Sequence, residues 1–159
     1  MARIWHISDT HSYHGLLKVP EGIDTVISSG DCSNYRDPYR NSNEVKDFIA
    51  WYASLAIKNK IYVAGNHDTS IEKRLVTRDD FTKEGIIYLE NESIELEGLK
   101  IWGSPFTPSF CDWSFMKARE KLHTLWGTIP DNTEVVVVHG PPKRILDLSY
   151  DRQNNLEFC

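Results

Sequence analysis

Cysteine is scarce in this chain. Cys32, Cys111 and Cys159 are odd in number, far apart and in no C-x-x-C pair. That excludes a disulfide framework and points to reduced thiols in a cytoplasmic protein. Basic charge is in deficit: 18 Lys and Arg against 23 Asp and Glu leave a net charge of -5. Such a balance argues against non-specific binding to nucleic acid, whose phosphates need a cationic surface. It is compatible with a small phosphorylated substrate, because bound metal cations would reverse the local sign. No apolar run approaches the ~20 residues that span a bilayer, so no membrane is expected as a partner. The N-terminal Met-Ala-Arg-Ile-Trp-His has neither an apolar h-region nor a cleavage signal. Repeats and low-complexity linkers are missing too, so a single domain over 1–159 is expected.

What remains has ordinary globular proportions, with enough apolar residues for a core. Strands are expected over Arg3–Ser8, Asp24–Ser29 and Lys60–Ala64. A helix is expected over Asn41–Ile57, since Val45, Phe48, Ile49, Tyr52 and Leu55 recur at helical spacing and Asn41 with Glu44 reads as a capping box. Thr69 and Glu72 repeat that capping pattern, placing a helical turn directly after Asp68. Ser93–Leu96 and Leu99–Gly103 flank Glu97-Gly98, a hairpin signal. Asp112 is expected to cap a helix to Trp126, with Phe115, Ala118, Leu122 and Leu125 inward. Thr133–Val138 carries four consecutive valines, which reads as a strand buried on both faces. This order predicts an α/β fold of layers with some antiparallel pairing, its ligands gathering beyond the strand ends.

Four polar clusters each follow a predicted strand: Asp9-Thr10-His11, Gly30-Asp31, Gly65-Asn66-His67-Asp68 and His139-Gly140-Pro141-Pro142. Each alone has an ordinary explanation as a turn, a helix cap or a hydrogen-bonded histidine. Together they offer carboxylate, imidazole and amide ligands suited to Zn, Mn or Fe at one rim. If the chain after the first strand stays extended, Asp9 and His11 point the same way and can reach one ion.

In this order the clusters resemble the calcineurin-like metallophosphoesterase superfamily. Gly103-Ser104-Pro105-Phe106-Thr107-Pro108, Trp113, Ile129-Pro130 and the H-G-P-P segment are similar to its metallophosphoesterase-domain-containing phosphodiesterase branch. The resemblance implies a layered fold of mixed β-sheets flanked by helices. It implies two divalent metal ions and hydrolysis of a small phosphodiester such as a cyclic nucleotide, with metal-bound hydroxide as nucleophile. Asp9 and His11 would bind the first ion, Asp31 would bridge both with its two oxygens, and Asn66 and His139 would bind the second. His67 would not bind metal but would face the leaving-group oxygen as a proton donor or transition-state stabiliser, and Asp68 would orient it or serve as a helix-start residue.

One family element has no counterpart here. The superfamily places a G-H-x-H motif after the H-G-P-P strand, and none follows in this sequence. The expectation is a domain incomplete at its C-terminus, with weaker metal binding, exposed apolar sheet surface, and an oligomer or complementing chain as a candidate partner. The alternative function is a non-catalytic module of the same fold that binds a nucleotide or a protein. His6 is expected to be structural and His123 solvated, Arg36 an exposed surface residue, and the tryptophans packing aromatics.

Overall fold

The computed structural model describes residues 3–109, 111–142, 144–145, 147–150 and 156–158. Within the final Asn154–Cys159 segment, residues 154, 155 and 159 lie outside them. Strands β1 (Ile4–Ile7), β2 (Thr25–Ser28), β3 (Asn59–Tyr62) and β4 (Ile87–Tyr88) form one parallel sheet in that order. Helix α1 (Pro38–Ser54) provides the crossover from β2 to β3 that parallel pairing requires. On its inner face Val45, Phe48, Ile49 and Tyr52 are buried, as the spacing predicts. The Tyr52 hydroxyl donates to the Val26 and Ile61 carbonyls at 3.0 and 2.9 Å, tying helix to sheet.

The start of α1 differs from expectation. Pro38 fixes φ in the first turn and the Asp37 carboxylate accepts from the Arg40 N–H at 2.9 Å, so the helix begins there and not at Asn41. Asn41 is fully buried within the first turn and serves other bonds. Beyond β3 come two short helices, α2 (Thr69–Glu72) and α3 (Arg78–Thr82).

A second sheet contains β5 (Glu92–Leu96), β6 (Leu99–Ser104) and β9 (Val135–Val138), in that order. The hairpin between β5 and β6 turns at Glu97 and Gly98, both with positive φ, the conformation that the twist of paired strands favours. Residues of β2 and β3 alternate between two cores. Val26 and Tyr62 face α1, whereas Ile27 and Ile61 meet Ile101 and Val137 of the second sheet. The first sheet is therefore a middle layer, with helix on one face and sheet on the other.

Two expectations fail between β6 and β9. Cys111, Asp112 and Phe115 have positive φ, which no right-handed helix allows, so Asp112 caps nothing. That stretch instead pairs β7 (Thr107–Pro108) with β8 (Met116–Lys117), and helix α4 covers only Arg119–Trp126. Leu122 and Phe115 are buried as expected, but Ala118 is exposed. The valine strand is not covered on both faces. Alternate residues of β9 face the first sheet, so Val137 is buried while Val136 on the other face is 48% exposed; among the described residues β9 is also an edge strand, beside β6. Strands β10 (Leu148–Tyr150) and β11 (Leu156–Phe158) form a separate antiparallel pair. Among the described residues no helix is long and apolar enough to cross a membrane.

Candidate metal centre

All four strand-end clusters converge. Asp9 and His11 follow β1, Asp31 follows β2, Asn66, His67 and Asp68 follow β3, and His139 follows β9. The loops are sewn together by backbone bonds from Asp9 N–H to the Gly30 carbonyl and from His11 N–H to the Asp31 carbonyl, each 3.0 Å. Asp9, His11 and Asp31 all adopt positive φ, a conformation that costs a non-glycine residue about 1 kcal/mol or more and clusters at functional sites. Gly30 and Gly65 let the loops touch: a Cβ on Gly30 would overlap the Gly65 backbone, and one on Gly65 would overlap the Asp31 carboxylate.

Asp31 is the hub. It is 3% exposed, and its Oδ1 accepts the His67 backbone N–H at 2.7 Å. Its Oδ2 lies 3.5 Å from His139 Nε2 and 3.9 Å from His11 Nε2. The two imidazoles are oriented alike. His11 Nδ1 lies 3.0 Å from the Ser33 carbonyl, and His139 Nδ1 lies 2.9 Å from the Ser29 carbonyl. A carbonyl only accepts, so each Nδ1 carries hydrogen and each Nε2, once deprotonated, would offer its lone pair inward. His139 Nε2 is also 2.9 Å from Asn66 Oδ1.

The charges respond to this crowding. Burial lowers the His139 pKa, but the hydrogen bond and charge of Asp31, helped by Asp9 and the Ser29 carbonyl, push it up to about 9. For Asp31 burial acts upward and is outweighed by the His139 hydrogen bond and charge and by His67, so its carboxyl lies below the usual range. Without a cation, the centre is a buried imidazolium–carboxylate pair.

Two groups of ligand atoms lie within 4.8 Å of one another: His11, Asp31 and His67, and Asp9, Asp31 and His139. The donor set of carboxylate, imidazole and amide oxygen fits a pair of hard or borderline divalent cations sharing Asp31. The D-x-H segment is not extended as expected, because φ is positive at Asp9 and His11; Asp9 gathers with Asp31 and His139, and His11 with Asp31 and His67.

Asp68 also differs from expectation. It is fully buried at the start of α2, but its side chain makes no cap bond. The carboxylate accepts instead from the backbone N–H of Asp31 (3.0 Å) and Gly65 (2.8 Å), the Tyr62 hydroxyl (2.6 Å) and the Ser33 hydroxyl (2.7 Å). It therefore fixes the Asp31 loop, and burial, followed by the charge of Asp68, raises the Tyr62 pKa well above normal. The His67 ring is held from elsewhere: it stacks on Trp113 at 4.0 Å and meets His11 edge-on at 4.7 Å.

Three contributors escaped sequence reasoning. Asn41 donates to the Tyr35 and His67 carbonyls at 2.7 and 2.9 Å and accepts from Ser70 N–H at 2.9 Å, binding helix α1 to the site loops. Trp113 belongs to neither core cluster. Arg36 is exposed as expected, yet it is engaged with the Trp113 loop. The place of Trp113 in the branch resemblance was the available signal. Among the histidines left aside, His6 bonds the Ser29 hydroxyl at 2.9 Å and His123 is exposed on α4. His14 is 4% exposed, packed against Phe48 and Trp51 with Asp47 at 3.2 Å.

Comparison with known proteins places this geometry. The calcineurin-like phosphoesterase profile matches residues 2–159. Human metallophosphoesterase domain-containing protein 1 is 31% identical over 164 residues, covering 89% of this chain and 49% of the human protein, and the mouse protein matches equally. A UPF0046 protein of Caenorhabditis elegans is 35% identical over 153 residues, covering 86% of this chain and 52% of its own length. A protein of Emericella nidulans named "Probable rhamnogalacturonate lyase C" is 34% identical over 160 residues, covering 94% of this chain but 15% of that much longer protein. This chain thus spans about half the length of the human and mouse relatives it matches. With its ligand-rich loops at the strand ends of a layered α/β fold, the chain belongs to the calcineurin-like phosphoesterase family, in the metallophosphoesterase-domain-containing branch.

Proposed function

We propose that this chain hydrolyses small phosphodiesters, cyclic nucleotides among them, using two divalent cations of the Mn, Fe or Zn kind held by Asp9, His11, Asp31, Asn66 and His139. The observation that carries the reading is one oxygen, Asp31 Oδ2, facing both the His11 and His139 imidazoles. Asp31 Oδ1 accepts the His67 N–H, which orients the carboxylate that would be shared between the two cations. When bound, such cations neutralise phosphate oxygens and acidify a water enough to supply hydroxide near neutral pH.

The chain's own groups do the rest. The Ser33 and Ser29 carbonyls hold the His11 and His139 tautomers. His67 has its backbone pinned to Asp31 and its ring beside the cluster, and it gives a proton to the departing oxygen. Asp68 keeps the Asp31 loop in place. The diester preference rests on similarity to the branch. A reducing, cytoplasmic setting accords with Cys32 and Cys111, which are free thiols among the described residues.

The test is hydrolysis of bis(4-nitrophenyl) phosphate with and without added Mn. Turnover that needs the metal and is lost in Asp31→Ala and His67→Ala is the expected result. Folded, metal-loaded protein without turnover under any divalent metal would instead establish the non-catalytic module.

A further inference from the structure

We infer that Trp113, anchored by Arg36, is a positioning residue that sets the orientation of the His67 ring. The inference rests on the role given to His67 above. The bond from the His67 backbone N–H to Asp31 fixes the main chain but leaves the ring free to turn. Its Nδ1 has only a long 3.4 Å contact with the Asn34 carbonyl. The firm constraint is the indole of Trp113, stacked at 4.0 Å with 24° between the planes.

Trp113 is itself held by contacts unrelated to core filling. It is half-buried and outside both hydrophobic clusters. Cys111 and Asp112, just before it, sit in the left-handed region at φ 49° each, a conformation that persists only when its surroundings over-determine it. Arg36 Nη2 donates to the Cys111 and Asp112 carbonyls, both at 2.8 Å, and its guanidinium lies 4.7 Å over the indole. On the other side of Trp113, Ser114 N–H donates to the Asn66 carbonyl at 3.1 Å and Phe115 N–H to Glu72 Oε1 at 2.8 Å. The loop after β7 is thus tied to the Asp31 loop and to the Asn66 loop, and the indole is pressed onto the one ring expected to meet the leaving group.

The consequence is selective. A misaligned His67 slows loss of a poor leaving group, which needs a proton, and hardly affects a good one, which leaves as the anion. Two measurements test this. In the metal-free protein, NMR signals of the His67 ring, assigned by their loss in His67→Gln, should be displaced upfield by the stacked indole, return in Trp113→Ala, and move in the same direction in Arg36→Ala. Unchanged His67 signals in Trp113→Ala overturn the inference whether or not the protein is an enzyme.

In kinetics, Trp113→Ala should lower kcat for diphenyl phosphate about tenfold more than for bis(4-nitrophenyl) phosphate, with metal content unchanged. Trp113→Phe, which keeps an aromatic face, should recover to within about threefold of the parent. Equal losses on both esters, or loss of bound metal, would make Trp113 a structural or metal-supporting residue and overturn the inference. Absence of turnover in the parent protein would remove the phosphoesterase reading alone, and the NMR measurement would still decide the stacking.

Discussion

The Asp31 carboxylate occupies the space that a Cβ on Gly65 would need, with Oδ1 as the nearest heavy atom. Gly65→Ala must therefore move the shared ligand or the β3 loop. Overpacking of this kind costs about 1–3 kcal/mol. The expected outcome is a lower urea midpoint together with fewer metal equivalents retained after dialysis. A variant matching the parent in both measurements would show that the loops do not need this contact.

The buried Asp68 carboxylate satisfies backbone donors on Asp31 and Gly65 and hydroxyls on Ser33 and Tyr62. Asp68→Ala strands the Asp31 and Gly65 N–H donors, each unsatisfied buried donor costing about 1–3 kcal/mol. Denaturation in the presence of EDTA should reveal that loss without any metal. If instead stability held and only kcat fell, Asp68 would be acting on His67 and not on the Asp31 loop.

Asn41 is a second buried support, donating to the Tyr35 and His67 carbonyls and accepting from Ser70 N–H. Asn41→Ala leaves the buried Ser70 N–H unpaired and takes one donor from each carbonyl, an expected loss of about 1–3 kcal/mol. The loops it holds are those of the centre, so metal retention should fall with stability in the same variant. A loss of stability with full metal retention would separate helix docking from the site.

The pH dependence follows from His139. Its pKa is raised to about 9 from 6.5, so the stability it lends the metal-free protein is complete below pH 6.5 and fades as pH rises through about 9. Cation binding must expel that proton, so apparent metal affinity should climb across the same interval. His14 works in the opposite sense. Burial lowers its pKa despite Asp47, so its cost to folding grows as pH falls below 6.5. Chemical denaturation in EDTA and metal titration, both repeated between pH 6 and about 9, measure these trends. Affinity that stays flat over this range would show that His139 is not a ligand.

The candidate centre was largely legible because its residues follow strands in short, distinctive clusters, and a strand tip is where a parallel sheet presents side chains. Which side chains share a neighbourhood was not legible. The D-x-H segment reads as extended until the positive φ of Asp9 and His11 is known. The start of α1 was misplaced because Asn41 is a good cap by composition, while Asp37-Pro38 fixes the turn earlier. Helical spacing from Phe115 onward was misleading because loop strain at Cys111 and Asp112 overrides it. Trp113 could not be told from a core aromatic, since a stack on another loop's imidazole leaves no periodic trace.

His139 leaves a strand of the second sheet, yet its ring bonds the Ser29 carbonyl at the end of β2, 110 residues earlier in the chain. A cation gripped by both Asp31 and His139 would therefore act as a clasp between the two β layers, closing a long loop in the manner of a reversible crosslink. Its binding energy would count toward folding by mass action, and chelation would loosen the packing of Ile27 and Ile61 against Val137 as well as emptying the chemistry.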